Sequence, residues 1–284
     1  MADGAPEIFM RHLRLCRNAS LPGGRLPFRI GAVGVGWLKP DFAAALGRAA
    51  DLQPDADGGI TLPAGRAADL PGLAEELSAS GLYRLRHEAF DVRAGDETPP
   101  LATIDRGAVP AFGVTSRGVH CNGLVHRADG LHLWVARRAA TKLLDPGKLD
   151  HIVAGGISAG MGPWDTLLKE AGEEAAVPQA LAALARPVGK IRYDMEREEG
   201  LRRDLLYCFD LDLPEAFMPR PSDGEVETFE LWPIGRAVQA VGDGDSFKFN
   251  VSLVLIDLFL RRGLIGPPQG ADALRQELDR NISD

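Results

Sequence analysis

Residues 155–177, GGISAGMGPWDTLLKEAGEEAAV, decide how the rest of the chain is read. Two glycines and a small-residue loop open the stretch, and a helix with a dense acidic end follows. Glu170, Glu173 and Glu174 stand at i, i+3 and i+4 of that helix, so their side chains project from one side. Like charges at this spacing repel and weaken an isolated helix. A hard divalent cation bound through oxygen removes the repulsion, which marks these carboxylates as candidate metal ligands. Pro163 suits a first helical turn, and Asp165 places negative charge near the positive end of the helix dipole. Trp164, Leu167, Leu168, Ala171 and Ala175 make the apolar stripe expected to dock the helix on a sheet. The glutamates are expected on a flank reachable by solvent and ligand.

The composition narrows the partners. A chain of 284 residues has room for one large domain or two modest ones. A net charge of −8 argues against a nucleic-acid partner held by a general positive field. Cys16, Cys121 and Cys208 are widely spaced and form no CxxC pair, so neither a disulfide framework nor a zinc site is expected. A reducing, cytoplasmic location fits best. The opening MADGAPEIFMRHLRLC carries acidic residues early and lacks a long apolar core, so no signal peptide is expected. No run approaches the ~18 apolar residues that a membrane span needs.

Upstream of the central stretch, apolar spacing predicts a helix over 6–18 and a single strand over 26–37. The GAVGVG of residues 31–36 is followed by Trp37, Leu38, Lys39 and Pro40 rather than by a helix start. It reads as a closely packed small-residue strand, not a dinucleotide loop. Helices over 40–50 and 67–80 and a strand over 59–62 complete a small α+β unit, with a connector at 94–100. From about Val109 the pattern changes. Strands over 111–127 and 131–137 flank Ala128-Asp129-Gly130, a hairpin signal, with Asn122 and Gly123 interrupting the first strand. Arg137, Arg138, Lys142 and Lys148 then give local positive charge just ahead of the acidic helix. They suit either phosphate binding or a solvated basic loop. A second hairpin is expected over 189–198 and 200–211, then a strand over 225–232 and a helix over 234–241. A hydrophobic helix over 250–262, closed by Gly263, follows.

The central stretch resembles the Nudix box. Its pattern is Gly, five residues, Glu, seven residues, Arg-Glu, an apolar residue, a spacer, Glu-Glu, a spacer, Gly and an apolar residue. Counting from Gly155 puts Met161 at the first Glu, Lys169-Glu170 at Arg-Glu, and Glu173-Glu174 at the acidic pair, with Ala176 and Val177 closing. The chain departs from the pattern at Met161, Lys169 and Ala176. In the family the first Glu is often paired with the Arg, bracing loop against helix. Both ends of that brace are changed here, so a replacement is expected rather than half a pair, which would leave a charge without its partner. GVHCNGLVHR, LWVARRAATKLLDPGKLDHIVAGGISAGM, DGEVETFELW and FKFNVSLVLIDLFLRRG are similar to one branch of that family. That branch is found fused to thiamine pyrophosphokinase in some fungi and stands alone in plants and bacteria.

The resemblance implies an α/β/α sandwich with a mixed sheet over 109–284, preceded by a small α+β accessory domain over 1–108. It implies Mg²⁺ or Mn²⁺ held by Glu170, Glu173, Glu174 and the Gly155 carbonyl. It further implies hydrolysis of a small-molecule diphosphate, thiamine diphosphate or its oxidised and damaged forms, to monophosphate and phosphate. Arg137, Arg138 and Lys142 are the candidates for holding the diphosphate oxygens. The base is Glu174, Glu225 or Glu227. His120 and Asn122 suit either substrate contact or a core role. Two rivals remain: a metabolite sensor that has lost catalysis, and a prenyl-diphosphate isomerase, for which only Cys121 beside His120 speaks.

Overall fold

The computed structural model describes residues 5–266 and 268–280. Helix α1 (Ala5–Cys16) leads into a small α+β module. The stretch expected as one strand folds instead into a hairpin, β1 (Leu26–Ile30) and β2 (Val33–Leu38). Gly31 takes φ 59°, a left-handed conformation that costs glycine little, and the chain reverses there. Helix α2 (Pro40–Ala50) begins on its proline, and β3 (Ile60–Leu62) pairs in parallel with β1. The expected helix over 67–80 is split into a 3-10 turn over Ala64–Asp69 and α3 (Leu70–Ala79). Pro71 lacks an N–H and restarts the α-helical ladder. A ribbon of β4 (Ala89–Val92) and β5 (Ala102–Asp105) and the short α4 (Val109–Phe112) follow. Phe28, Leu38, Leu46, Leu62, Leu70 and Phe112 are buried together in the module's core.

The second half is a sandwich. Its strands are β6 (Thr115–Arg127), β7 (Gly130–Arg138), β8 (Leu149–Asp150), β9 (Val153–Gly156), β10 (Arg186–Arg197), β11 (Gly200–Asp212) and β12 (Val226–Pro233). Its helices are α5 (Pro163–Ala175), α6 (Gln179–Ala182), α7 (Ile234–Asp243), α8 (Phe249–Arg261) and α9 (Pro268–Asp279). The main sheet runs β10-β11-β6-β7-β12, with β8 on β7 and β9 on β6. The β11–β6 pair is parallel and the other pairs antiparallel, so the sheet is mixed as expected. Strand β6 is not interrupted at Asn122 and Gly123. Asn122 donates to Asp210 Oδ1 across the parallel pair at 2.9 Å. Gly123 makes room for Ile152, whose Cγ2 lies 2.8 Å from where a Cβ would stand.

Strand alternation sorts the two layers. Val119, Cys121, Val125 and Trp134 pack with Leu167, Ala171 and Ala175 of α5. Leu124, Leu133 and Val135 pack with α8 on the opposite face. Helix α8 is buried all round because α1, α7 and α9 cover it. Phe9, Leu13 and Cys16 of α1 join this second layer, so the first helix packs on the sandwich rather than on the module that follows it. Each such apolar side chain removed from water contributes about 1.5–3 kcal/mol.

The module and the sandwich meet at the loop that opens the acidic helix. Ala159 N–H donates to Ala89 O at 2.7 Å, Ser158 Oγ to Glu88 Oε1 at 2.7 Å, and Gly160 N–H to Asp91 Oδ2 at 3.5 Å. Phe90 sits on Gly156 so closely that a Cβ there would lie 2.5 Å from its Cζ. Strand β4 thus holds residues 156–160 in place. Met161 meanwhile packs apolar against the α5 layer, and Lys169 turns to its own helix. The loop is thus braced by contacts from Glu88, Ala89, Phe90 and Asp91.

Two substitutions check these packing arguments. Ala176 ends α5 at φ 52°, a left-handed cap that strains any residue with a Cβ. Ala176→Gly is expected to raise stability by about 1 kcal/mol in chemical denaturation. Gly156→Ala is expected to cost about 1–3 kcal/mol by overpacking against Phe90. Adding Phe90→Leu should then recover part of that loss, giving a double-mutant coupling of at least ~0.5 kcal/mol. Additive effects would contradict the contact.

Candidate active site

Helix α5 starts at Gly162, in extended conformation, with Pro163 and Asp165 in its first turn. Its direction carries Glu170, Glu173 and Glu174 past the end of β9. Gly155 on that strand permits the approach: a Cβ there would lie 2.5 Å from Glu170 Cγ. Glu174 does not lie on an open flank, as the helix pattern suggested. It is 6% exposed, and its Oε2 accepts the Ala154 N–H at 2.8 Å. Glu170 is half-buried and Glu173 exposed. The helix packs with its glutamate edge turned into a cleft between β7, β9 and the start of β12, and this encloses the last of the three.

That cleft has a volume of about 230 Å³ and is lined by Arg138, Asp150, His151, Ala154, Glu174, Glu225 and Val226. Burial pushes the Glu174 carboxyl well above its ordinary pKa, and nearby Asp150, Glu170 and Glu225 push the same way. Burial likewise raises Glu170, partly offset by Lys169. Lys169 Nζ lies 3.0 Å from Glu170 Oε1 and 2.9 Å from Glu173 Oε2, the Glu173 hydrogen bond raising its pKa most. Three carboxylates thus stand near the end of α5, one of them buried and bonded to a single backbone N–H, and carboxylate oxygens are the donors a hard divalent cation takes.

The candidate cations divide. Arg138 lines the cleft, and its guanidinium is spent on Asp150 Oδ2 at 2.7 Å and on the carbonyls of Leu144 and Asp145. Arg137, on the opposite face of β7, bonds to Gly147 O at 3.0 Å and does not line the cleft. Lys142 is ion-paired with Glu225 at the cleft mouth. Burial raises the pKa of Glu225, yet the hydrogen bond and charge of Lys142, with the charges of Arg106 and Arg138, together outweigh it and hold the group below its ordinary value. Glu227 accepts the Ala140 N–H at 2.9 Å, which fixes the loop rather than reaching the cleft. Cys121 is buried under α5, and burial drives its thiol pKa upward, so it offers no reactive thiolate to an isomerase chemistry.

A further group was not legible as a site. His120, Asp150 and His151 place one ligand atom each within 4.8 Å of one another. Asp150 is held to about 2 against the upward push of burial by Lys248 first and then Arg138. Burial, helped by Arg138, brings Lys248 itself down to about 8 against the upward pull of Asp150. These cations already neutralise the one carboxylate, and the two imidazoles bond each other through Nδ1 at 3.0 Å. Asp150 and His151 line the cleft, and His120 is hydrogen-bonded to His151. The signal in the sequence was a charged pair, Asp150-His151, inside the apolar run LDHIVAGG just before the central stretch.

Comparison with known proteins places this geometry in a family. Residues 8–116 match the family described as "Domain of unknown function (DUF4743)". The chain is 34% identical over 276 residues to Nudix hydrolase 20, chloroplastic, of Arabidopsis thaliana, covering 91% of this chain and 74% of that protein. It is 40% identical over 184 residues to Nudix hydrolase 24, chloroplastic, of the same plant, covering 64% of this chain and 50% of that protein. It thus spans only half the length of the second relative. The crystal structure of the MutT protein from Methanosarcina mazei Go1 aligns at 13% identity and TM-score 0.40, covering 52% of this chain and 95% of that one. Since the identity to Nudix hydrolase 20 runs through most of both proteins, the chain belongs to the Nudix hydrolase family.

Proposed function

We propose that this chain hydrolyses a diphosphate with Mg²⁺ or Mn²⁺, acting on thiamine diphosphate or its oxidised and damaged analogues to give monophosphate and phosphate. The observation that carries the reaction is Glu174, a carboxylate buried in the cleft, raised well above its ordinary pKa by burial and by Asp150, Glu170 and Glu225, so that a cation beside it would favour its ionised form. Glu170, Glu173, Glu174 and the Gly155 carbonyl would hold the metal, which screens phosphate charge and positions a water. Thiamine as the organic half is supported by the resemblance of the quoted stretches to the thiamine-linked branch. A cytoplasmic, reducing location is supported by the three buried free thiols, although both Arabidopsis relatives are named chloroplastic. Among the described residues no helix is long and apolar enough to cross a membrane.

The chain's own groups divide the work. Glu174 is the preferred base: Oε2 is oriented by Ala154 N–H, leaving Oε1 to take a proton from water. Glu225 is tied to Lys142 and Glu227 to Ala140 N–H, which leaves both less able to do so. Arg138 lines the cleft with its guanidinium committed to Asp150 and two carbonyls, so its part is to hold that wall in place. Lys142 at the mouth exchanges Glu225 for substrate. A sensor that binds without turnover is the second reading. It is favoured by Lys169, whose ammonium already bridges Glu170 and Glu173.

Phosphate release with Mg²⁺ from thiamine, oxothiamine and oxythiamine diphosphates, beside ADP-ribose, separates these readings. Turnover of the thiamine set is expected, falling about 10²–10⁴-fold in Glu174→Gln. Binding without turnover favours the sensor, and turnover unaffected by the substitution contradicts the site. Stability supplies an independent check. The folded pKa of Glu174 is raised above its ordinary 4.5, so its contribution is full below that pH and is lost as pH rises through the folded value. Metal-free Glu174→Gln is therefore expected to melt above the native protein at neutral pH, the gap closing toward pH 4.5. Saturating Mg²⁺ or Mn²⁺ should raise the melting temperature of the native protein and not that of the variant.

A further inference from the structure

His151 is buried, lines the cleft beside Glu174, and its Nε2 has no hydrogen-bond partner among the described residues. Buried polar atoms are rarely left unpaired, so this one calls for a ligand. Which kind depends on whether Nε2 carries a proton, and the interior fixes that through a chain of hydrogen bonds.

The chain starts at Asp204, a buried carboxylate that accepts the Tyr193 hydroxyl and is further bonded by Ser116 and Arg202. Having donated its only proton, the Tyr193 oxygen can only accept from its other neighbours, Arg202 and Asn250, whose Nδ2 lies at 3.4 Å. This contact orients the amide. The same Nδ2 lies 3.4 Å from His120 Nε2, which must then be an acceptor, leaving the proton of neutral His120 on Nδ1. His120 Nδ1 is 3.0 Å from His151 Nδ1 and donates to it. His151 is thereby held as the tautomer with its proton on Nε2. Both rings stay neutral: burial lowers each pKa, bringing His151 to about 4.

We propose that His151 Nε2–H is a fixed, neutral hydrogen-bond donor that binds a non-bridging oxygen of the diphosphate in the cleft beside Glu174, with Asp204, Tyr193, Asn250 and His120 as the positioning residues that set its tautomer. The proposal rests on the diphosphate reading of this cleft. A neutral donor suits the place. It adds no charge to a wall in which Arg138 is already paired with Asp150, and it does not compete with a metal for the α5 carboxylates. Histidine in the opposite tautomer would present a lone pair there, which repels a phosphate oxygen and attracts a metal.

The test uses the full chain with methylenediphosphonate, a diphosphate that is not hydrolysed, in the presence of Mg²⁺. His151→Leu is expected to weaken its binding about 10- to 100-fold, and His151→Gln, which keeps an N–H at a similar reach, to lie much closer to the native protein. Equal binding by native and folded His151→Leu protein overturns the proposal. Should His151→Leu not fold, ¹⁵N NMR of histidine in the native protein decides. A protonated Nε2 and unprotonated Nδ1 at His151, with Nε2 shifting on methylenediphosphonate, supports it; an Nε2 unmoved by the probe overturns it. Asn250→Leu should mix the two His151 tautomers, which a merely structural role for Asn250 would not do. A shift of His151 Nδ1 with Zn²⁺ or Mg²⁺ alone makes that atom a metal ligand and overturns the proposal. Binding that depends on His151, in a protein that turns over no diphosphate, upholds the donor while the hydrolase reading falls. Turnover unchanged in folded His151→Leu does the reverse.

Discussion

Repulsion among carboxylates that the fold forces together is the constraint on which the rest of the structure depends. Glu174 is closed in by β9 and faces Asp150, Glu170 and Glu225. Burial of an ionised carboxylate without a compensating cation or hydrogen bonds is strongly unfavourable. The protein meets that cost only in part: Ala154 N–H serves one oxygen of Glu174, and Lys169 bridges the two outer glutamates. In the proposed reaction a divalent cation would supply the rest. Arg138 and Lys248 neutralise Asp150 in the cleft wall, so the cost that remains is the burial of Glu174 on α5.

Such a cluster is useful only if the loop before it is held still, and the hold comes from the N-terminal module. Family-pattern residues that would brace the loop from within are absent, with Met161 turned into the core and Lys169 turned to the glutamates. Strand β4 takes over through Glu88, Ala89 and Phe90, the last seated against the bare backbone of Gly156. A reader of the sequence sees a helix pattern with two substitutions and, separately, an accessory unit of no evident purpose; the contacts join them.

Much of this was legible beforehand because it rests on local periodicity. The i, i+3, i+4 glutamates, the Asp129-Gly130 hairpin and the alternating strands around it depend on neighbours in sequence, and they stand where the pattern puts them. What was missed depends on partners far apart in the chain. The burial of Glu174 follows from how β9 lies against α5, which helix spacing alone does not give. Gly31 reverses the chain in a stretch whose alternation reads as continuous. Phe9, Leu13 and Cys16 find their core across the α8 layer, more than two hundred residues away. The wall of His120, His151, Asn250, Tyr193 and Asp204 is drawn from β6, the β8–β9 turn, α8, β10 and β11, and no window of sequence contains it.

The central claim is that the α5 carboxylates and the Gly155 backbone, rather than the neighbouring histidines, receive the divalent cation. The most direct measurement is anomalous diffraction from crystals of the full chain soaked in Mn²⁺. Anomalous density beside Glu170, Glu174 and the Gly155 carbonyl is the predicted result. Density among His120, Asp150 and His151 with none on α5, or no bound Mn²⁺ at either place, would contradict the account.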